Sequence, residues 1–145
     1  MKNRRIINLA LLLVLIVSCA ASKEEFEKKF PQKIEKVYFK KWFGGRPETG
    51  FGTHFFIELE QPLNNQIQLH KVYFQNRETL ITKQDDKIYT ANFLTKPNLN
   101  WEPKVKEIPR FTLNDNEAVL EYSYKGKIRF YKINKCKEIS PDYFE

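Results

Sequence analysis

The sequence predicts an all-β domain: a compact antiparallel β-sandwich of seven or eight strands, with a small antiparallel barrel as the alternative. Three observations predict it. Short runs rich in Val, Ile, Tyr, Phe and Thr alternate apolar and polar residues with period two. Clusters of Gly, Pro and Asn separate these runs at the spacing typical of a sandwich. Near the C-terminus, two alternating runs flank Lys125-Gly126, a linker of hairpin-turn length. A core is affordable: 41% of the 145 residues are hydrophobic and 21 are aromatic, a globular rather than a disordered composition.

Taken in order, the first run covers residues 34–42, with Val37 and Phe39 on one face. Residues 53–60 follow, with Phe55, Ile57 and Leu59 set against His54, Phe56, Glu58 and Glu60. After a turn at Pro62-Leu63-Asn64-Asn65, the run 66–75 changes phase. Ile67 and Leu69 share one face, then Val72 and Phe74 take it over, which marks a β-bulge near His70 and Lys71. A short strand is expected at 79–82 and another at 87–95, the latter with Tyr89, Ala91 and Phe93 on one side. Pro97, Pro103 and Pro109 remove backbone donors, so 96–110 is expected to be irregular, with an edge strand at 104–108. The closing hairpin pairs 117–124 with 127–134. It places Ala118, Leu120, Tyr122 and Tyr124 on one face, and Ile128 and Phe130 opposite Arg129, Tyr131 and Ile133. Phe55, Ile57, Leu59, Leu120, Tyr122 and Phe130 are the expected core.

Ahead of this domain, Lys2, Arg4 and Arg5 precede an apolar stretch over residues 6–17, broken only by Asn8. That is too short to cross a bilayer but has the length and flanks of a signal-peptide helix. The stretch ends in Ile16-Val17-Ser18-Cys19, which resembles the lipobox of bacterial lipoproteins. The resemblance implies cleavage between Ser18 and Cys19, a diacylglycerol on the Cys19 sulfur, and anchorage in a cell-envelope membrane, the outer membrane by expectation. Plain secretion, with Ser18-Cys19-Ala20 as the cleavage site, is the other reading. The chain then divides into a signal peptide (1–18), a lipidated cysteine with a solvated tether (19–33) and the β-domain (34–145). Cleavage leaves 127 residues and lowers the formal charge from +7 to +4, so the mature body is only mildly basic and no nucleic-acid partner is expected.

Lys23-Glu24-Glu25 resembles the Lys-plus-acidic signal that sends some Bacteroidota lipoproteins to the cell exterior; its plainer reading is a charged linker. The chain as a whole is similar to small lipoproteins of Bacteroidota. The shared features are the lipobox, the Tyr38-Phe39-x-x-Trp42 run into a Gly-rich loop, and Asn116-Glu117-Ala118-Val119 at the last hairpin. This resemblance implies a group of organisms and no mechanism.

Four of the five glycines fall within residues 44–52, among Trp42, Phe43, Arg46 and Phe51. Glycines free the backbone, aromatic faces meet sugars or peptides, and Arg46 meets anions, so these residues and Trp101 are the candidate binding residues. The structural reading of the same residues is a hairpin loop over 43–52 whose aromatics, Phe51 first, cap the core. Catalytic chemistry finds little material. Cys136 is the one cysteine besides Cys19 and would need His54 or His70 as a base; the plainer reading is a structural thiol. The two histidines lie on different runs without ligand-spaced partners, so no metal is expected. Asp85-Asp86 sits in an apparent turn rather than across a cleft. The expectation is therefore a non-enzymatic binding or accessory module without a cofactor, partnered with the membrane and with an envelope protein or glycan. A small hydrolase using Cys136 or surface carboxylates is the alternative.

Overall fold

The computed structural model describes residues 25–46, 49–95 and 109–144. The expected signal peptide, Cys19, Trp101 and the strand expected at 104–108 lie outside these residues. Ten strands run β1 (Phe26–Glu27), β2 (Ile34–Gly44), β3 (Phe51–Leu59), β4 (Ile67–Phe74), β5 (Arg77–Leu80), β6 (Thr82–Lys83), β7 (Ile88–Thr95), β8 (Ala118–Tyr124), β9 (Lys127–Ile133) and β10 (Lys137–Phe144). They form two five-stranded sheets. Sheet A has the order β1-β9-β8-β4-β5 and sheet B the order β10-β2-β3-β7-β6. Both sheets are open at their edges, so the fold is a sandwich and not a barrel. No α-helix occurs among the described residues.

The alternation read from the sequence sets the inner faces. Phe39, Phe55, Ile57, Leu59, Ala91 and Phe93 from sheet B meet Ile67, Leu69, Val72, Phe74, Leu120 and Tyr122 from sheet A in one core. Phe74 lies at its centre of contact, with ring centroids 4.8 Å from Phe39, 5.2 Å from Phe55 and 6.0 Å from Phe93. The expected bulge is present: the β4–β8 register shifts between Leu69 and Lys71. It lets Val72 and Phe74 take over the inner face after Leu69. Two two-residue turns have positive φ at both positions, Gln75 and Asn76 (48° and 59°) and Lys125 and Gly126 (51° and 77°). That is the backbone twist a tight hairpin requires.

The described strands number ten rather than the expected seven or eight, partly because the run expected at 79–82 divides between β5 of sheet A and β6 of sheet B. Four further features differ from the sequence reading. Residues 26–30 are part of the fold rather than only a tether. β1 pairs with β9, and Phe30 packs on Tyr122 and Tyr131 at 4.8 and 5.8 Å. β10 is an additional strand; its register against β2 shifts across Ser140-Pro141, where a proline without an N–H is tolerated on an edge. Both of these edge pairings are parallel, while the pairings inside each sheet are antiparallel. The chain crosses from β9 through Cys136 into sheet B without reversing.

The fourth difference concerns β9. Tyr131 and Ile133 face the core, whereas Phe130 points outward and is half-buried. It joins a second cluster on the outer face of sheet A, formed by Tyr73, Phe111 and Val119 with Phe26 and Leu113. Arg110 roofs this cluster, its guanidinium 4.7 Å from the Phe130 ring and its Nη1 donating to the Tyr73 hydroxyl at 3.2 Å. The sequence pattern gave two faces for β9 but not the fact that residues 110–113 return to cover the outer one.

Candidate functional site

Residues that alternate with the inner face of sheet B line its outer face, which no described segment covers in the way 110–113 cover sheet A. Strand register sets them in three rows. Asp142, Trp42, Gly52 and Leu94 form one row. Lys40, His54 and Asn92 form the next, and Tyr38, Phe56 and Thr90 the third. Trp42 and Gly52 are direct cross-strand partners. A Cβ on Gly52 would lie 2.6 Å from the indole Nε1, 2.8 Å from Cε2 and 2.5 Å from the Phe93 carbonyl. The indole therefore lies over the glycine, and only glycine fits beneath it. His54 lies 5.9 Å from the indole and 6.3 Å from Phe56, edge-on to the latter. Tyr38 and Phe56 stack at 4.8 Å with 11° between their planes.

The charged groups on this face are paired internally. Lys40 Nζ sits 2.5 Å from Asp142 Oδ2 and 5.5 Å from the centre of the Phe56 ring. Burial lowers the His54 pKa, the Lys40 charge lowers it further, and Asp142 opposes them, so the imidazole is neutral at pH 7. The Tyr38 hydroxyl donates to Glu58 Oε1 at 2.7 Å; burial and that carboxylate push its pKa up to about 12. Between β3, β7 and the turn before β7 lies a cavity of about 420 Å³, lined by Lys40, His54, Phe56, Gln84, Thr90 and Asn92 together with Ala91. The Gln84 and Asn92 carboxamides make no hydrogen bond among the described residues, and the Thr90 hydroxyl faces that of Thr82 at 3.3 Å. The described side chains of this face offer aromatic surface, neutral donors and acceptors, and the paired charges of Lys40 with Asp142 and Lys36 with Glu58.

The sequence-predicted site residues are not brought together. Trp42 is on this outer face. Phe43 and Phe51 are cross-strand partners on the opposite face of sheet B, two strand positions beyond the buried Phe39 and Phe55. They are 39% and 46% exposed, so Phe51 is not the core cap the sequence suggested. Phe43 instead stacks on Tyr143 of β10 at 5.5 Å. The expected ten-residue loop is shorter than that, because β2 continues to Gly44 and β3 begins at Phe51. The Gly44 amide donates to the Gly50 carbonyl at 2.9 Å, and Thr49 bridges back to the Arg46 carbonyl, which closes the tip. Arg46 is exposed there. Trp101 lies outside the described residues.

Cys136 belongs to the core cluster, and burial, with a smaller contribution from Glu117, pushes its thiol up to about 12. A thiol held so far above neutrality stays protonated at pH 7. His70 sits at the bulge on sheet A, away from His54 on sheet B, and its buried Nε2 has no hydrogen-bond partner among the described residues. Asp85 and Asp86 occupy a turn in which Asp86 pairs with Lys83 at 2.8 Å and Asp85 Oδ1 accepts the Asp86 amide. Among the described residues no three potential ligands cluster for a metal.

Tyr38, Lys40, Phe56 and Asn92 were not site candidates in the sequence, and His54 was considered only as a base for Cys136. The signal that finds them is the alternation itself, since each sits one position from a core residue. The chain matches no family model, no curated protein and no solved structure.

Proposed function

We propose that this chain is a lipoprotein of the bacterial cell envelope, held in the outer membrane by a diacylglycerol on Cys19, whose β-sandwich is a non-enzymatic binding module. The observation that carries the binding part is the outer face of sheet B, which no described segment covers. It combines half-buried aromatic rings with unengaged carboxamides, while the chain itself covers the equivalent face of sheet A. The anchor part rests on the apolar helix signal that ends in Ile16-Val17-Ser18-Cys19.

The strand directions support an anchored arrangement. β1 runs parallel to β9, and β9 runs antiparallel to β8, which is antiparallel to β4. β4 begins at Ile67, beside Lys33 and Glu60 at the end of β2 and β3 away from the 45–50 tip, and so runs toward the tip. β1 therefore points toward the tip, and Glu25 precedes it on the side away from the tip, beside the middle of β9. Five residues lie between Cys19 and Glu25, and the six steps reach at most ~22 Å at 3.3–3.6 Å per residue. Such a tether holds the far end of the sandwich near the lipid and leaves the sheet B face and the tip accessible. Several acyl chains at roughly 0.8 kcal/mol per buried CH₂ give a durable anchor.

The test is metabolic labelling with palmitate. Cys19→Ala is expected to abolish the label and leave the signal peptide uncleaved after Ser18. Label that persists in the variant overturns the lipoprotein reading.

A further inference from the structure

We propose that β1 is a clasp on the tether: closed on β9 it holds the domain on a short leash from Cys19, and opened it lengthens that leash while the sandwich stays folded from Phe30 onward. The inference rests on the reading of Cys19 as the lipid anchor and names a motion of the segment between anchor and domain.

Three observations carry it. The first is how little holds β1. It is two residues long, lies at the edge of sheet A, and pairs through Phe26 with Phe130 and Glu27 with Tyr131. Its side chains add a ring contact, Phe26 with Phe111 at 5.5 Å, and an ion pair, Glu27 Oε1 with Arg129 Nη1. The two side chains of that pair are 37% and 35% exposed, so water competes for it. Beneath residues 25–29 lies a hollow of about 570 Å³, lined among the described residues by Glu25, Phe26, Glu27, Lys28 and Lys29 themselves. Lys28 and Lys29 are exposed on this arch.

The second observation is that opening leaves the neighbours held. Phe111 keeps its contacts with Tyr73 at 4.8 Å and with Phe130 at 5.5 Å. β9 keeps its pairing with β8 from Lys127 to Ile133. After the arch the chain is tied down again. Phe30 packs on Tyr122 and Tyr131, and Gln32 donates to the Gln61 and Pro62 carbonyls and accepts from the Asn64 amide. A weakly held segment beside a firmly held one opens by itself, because only its own contacts need break.

The third observation is Arg129. Its Nε is buried with no hydrogen-bond partner among the described residues, while Glu27 engages its Nη1. A buried donor without a partner costs free energy. Glu27 sits on the same guanidinium, so lifting β1 lets water reach it, and the open clasp sheds a penalty that the closed one carries. The gain in length follows from the chain. Closed, the six steps from Cys19 to Glu25 reach at most ~22 Å; open, the eleven steps to Phe30 reach at most ~40 Å. β1 is the described strand nearest Cys19 in the chain, so a pull between a fixed lipid and a held domain loads it first.

The experiment uses the full-length lipidated chain. In detergent micelles without urea, trypsin is expected to cut after Lys28 or Lys29, and the remaining domain is expected to keep the parent's urea midpoint. Glu27→Ala is expected to speed that cut about two- to fivefold with the midpoint unchanged, the range of an exposed ion pair. Phe26→Ser, which removes the ring contact, is expected to speed it as well. In vesicles, energy transfer is measured from a donor on Arg46→Cys, at the exposed tip, to acceptors on the lipid headgroups; Cys136 is buried. Transfer is expected to be lower in a Phe26→Ser Glu27→Ala protein than in the parent. A cut that requires global unfolding, a cut rate indifferent to both substitutions, or equal transfer in parent and double variant overturns the proposal. Palmitate on Cys19 is scored first. A palmitoylated protein that fails these tests defeats the clasp alone, whereas a protein without palmitate defeats the anchor and the leash with it.

Discussion

Phe30 decides whether the segment before the first long strand belongs to the domain or merely leads to it. Its ring lies 4.8 Å from Tyr122 and 5.8 Å from Tyr131, both packed in or against the main core. A phenylalanine buries roughly 150–250 Å² when fully covered. Phe30 is half-buried, so about 100 Å² is at stake, worth about 2.5 kcal/mol at ~25 cal/mol per Å². Truncating fully buried phenylalanines costs about 3–5 kcal/mol, so about 2–3 kcal/mol is the consistent expectation for Phe30→Ala. Urea unfolding followed by far-ultraviolet circular dichroism reads it directly. With a slope of about 2 kcal/mol per molar, the midpoint falls by about 1 M while the slope stays unchanged. Tyr143→Ala is the contrasting control: at 76% exposure, on the edge strand β10, it is expected to cost about 1 kcal/mol or less. Equal effects of the two substitutions, or a Phe30→Ala midpoint within error of the parent, would refute the assignment of residues 26–30 to the fold.

Gly52→Ala is expected to destabilise by about 1–3 kcal/mol and to change the near-ultraviolet dichroism of tryptophan, because the added methyl meets the indole and the Phe93 carbonyl at once. An unchanged spectrum and stability would mean the indole does not lie over this position. Cys136 is expected to resist alkylation at pH 8 in the native protein and to react on addition of denaturant, since its thiol is buried and raised to about 12; rapid native labelling contradicts that burial. Tyr38 and Tyr73 have hydroxyls raised from 10.0 to about 12, so the fold favours their neutral forms. Their contribution to stability is complete below pH 10 and is lost as pH rises from 10 through 12. Melting temperatures measured across that window should fall less steeply in a Tyr38→Phe Tyr73→Phe protein, and an identical fall in parent and variant would show that these hydroxyls are not the cause.

Period-two alternation was sufficient for the sandwich interior. It placed Phe55, Ile57 and Leu59 inward on one strand and Leu120 and Tyr122 inward on another, and the phase change at His70 marked a real bulge. What alternation cannot state is which face the remaining chain covers. Phe130 was expected in the core and lies outside it, because Phe111 and Arg110 return from a proline-containing connection to shelter the outer face of sheet A. β10 was illegible for a different reason. Pro141 and the charges of Lys137, Glu138 and Asp142 interrupt its pattern, and it is held by edge pairing to β2 rather than by an apolar face of its own. The glycine-rich segment drew attention to Trp42, Phe43, Arg46 and Phe51 as a group by proximity in sequence. Strand geometry then separates them, since successive residues of β2 point to opposite faces. Trp42 thus keeps company with His54 and Phe56, whose own sequence neighbourhood reads as ordinary strand.

The most direct test of the account is residue-resolved. Amide chemical shifts of the isotopically labelled full-length chain in micelles would be followed during titration with a detergent-solubilised bacterial outer-membrane extract. The account predicts that the largest changes fall on residues 38–42, 54–56, 84 and 90–94, with the tip at 43–51 and the outer face of sheet A nearly still. Changes centred on Phe43, Arg46 and Phe51, or on the Arg110 cluster, or no changes at the highest extract concentration, would contradict it.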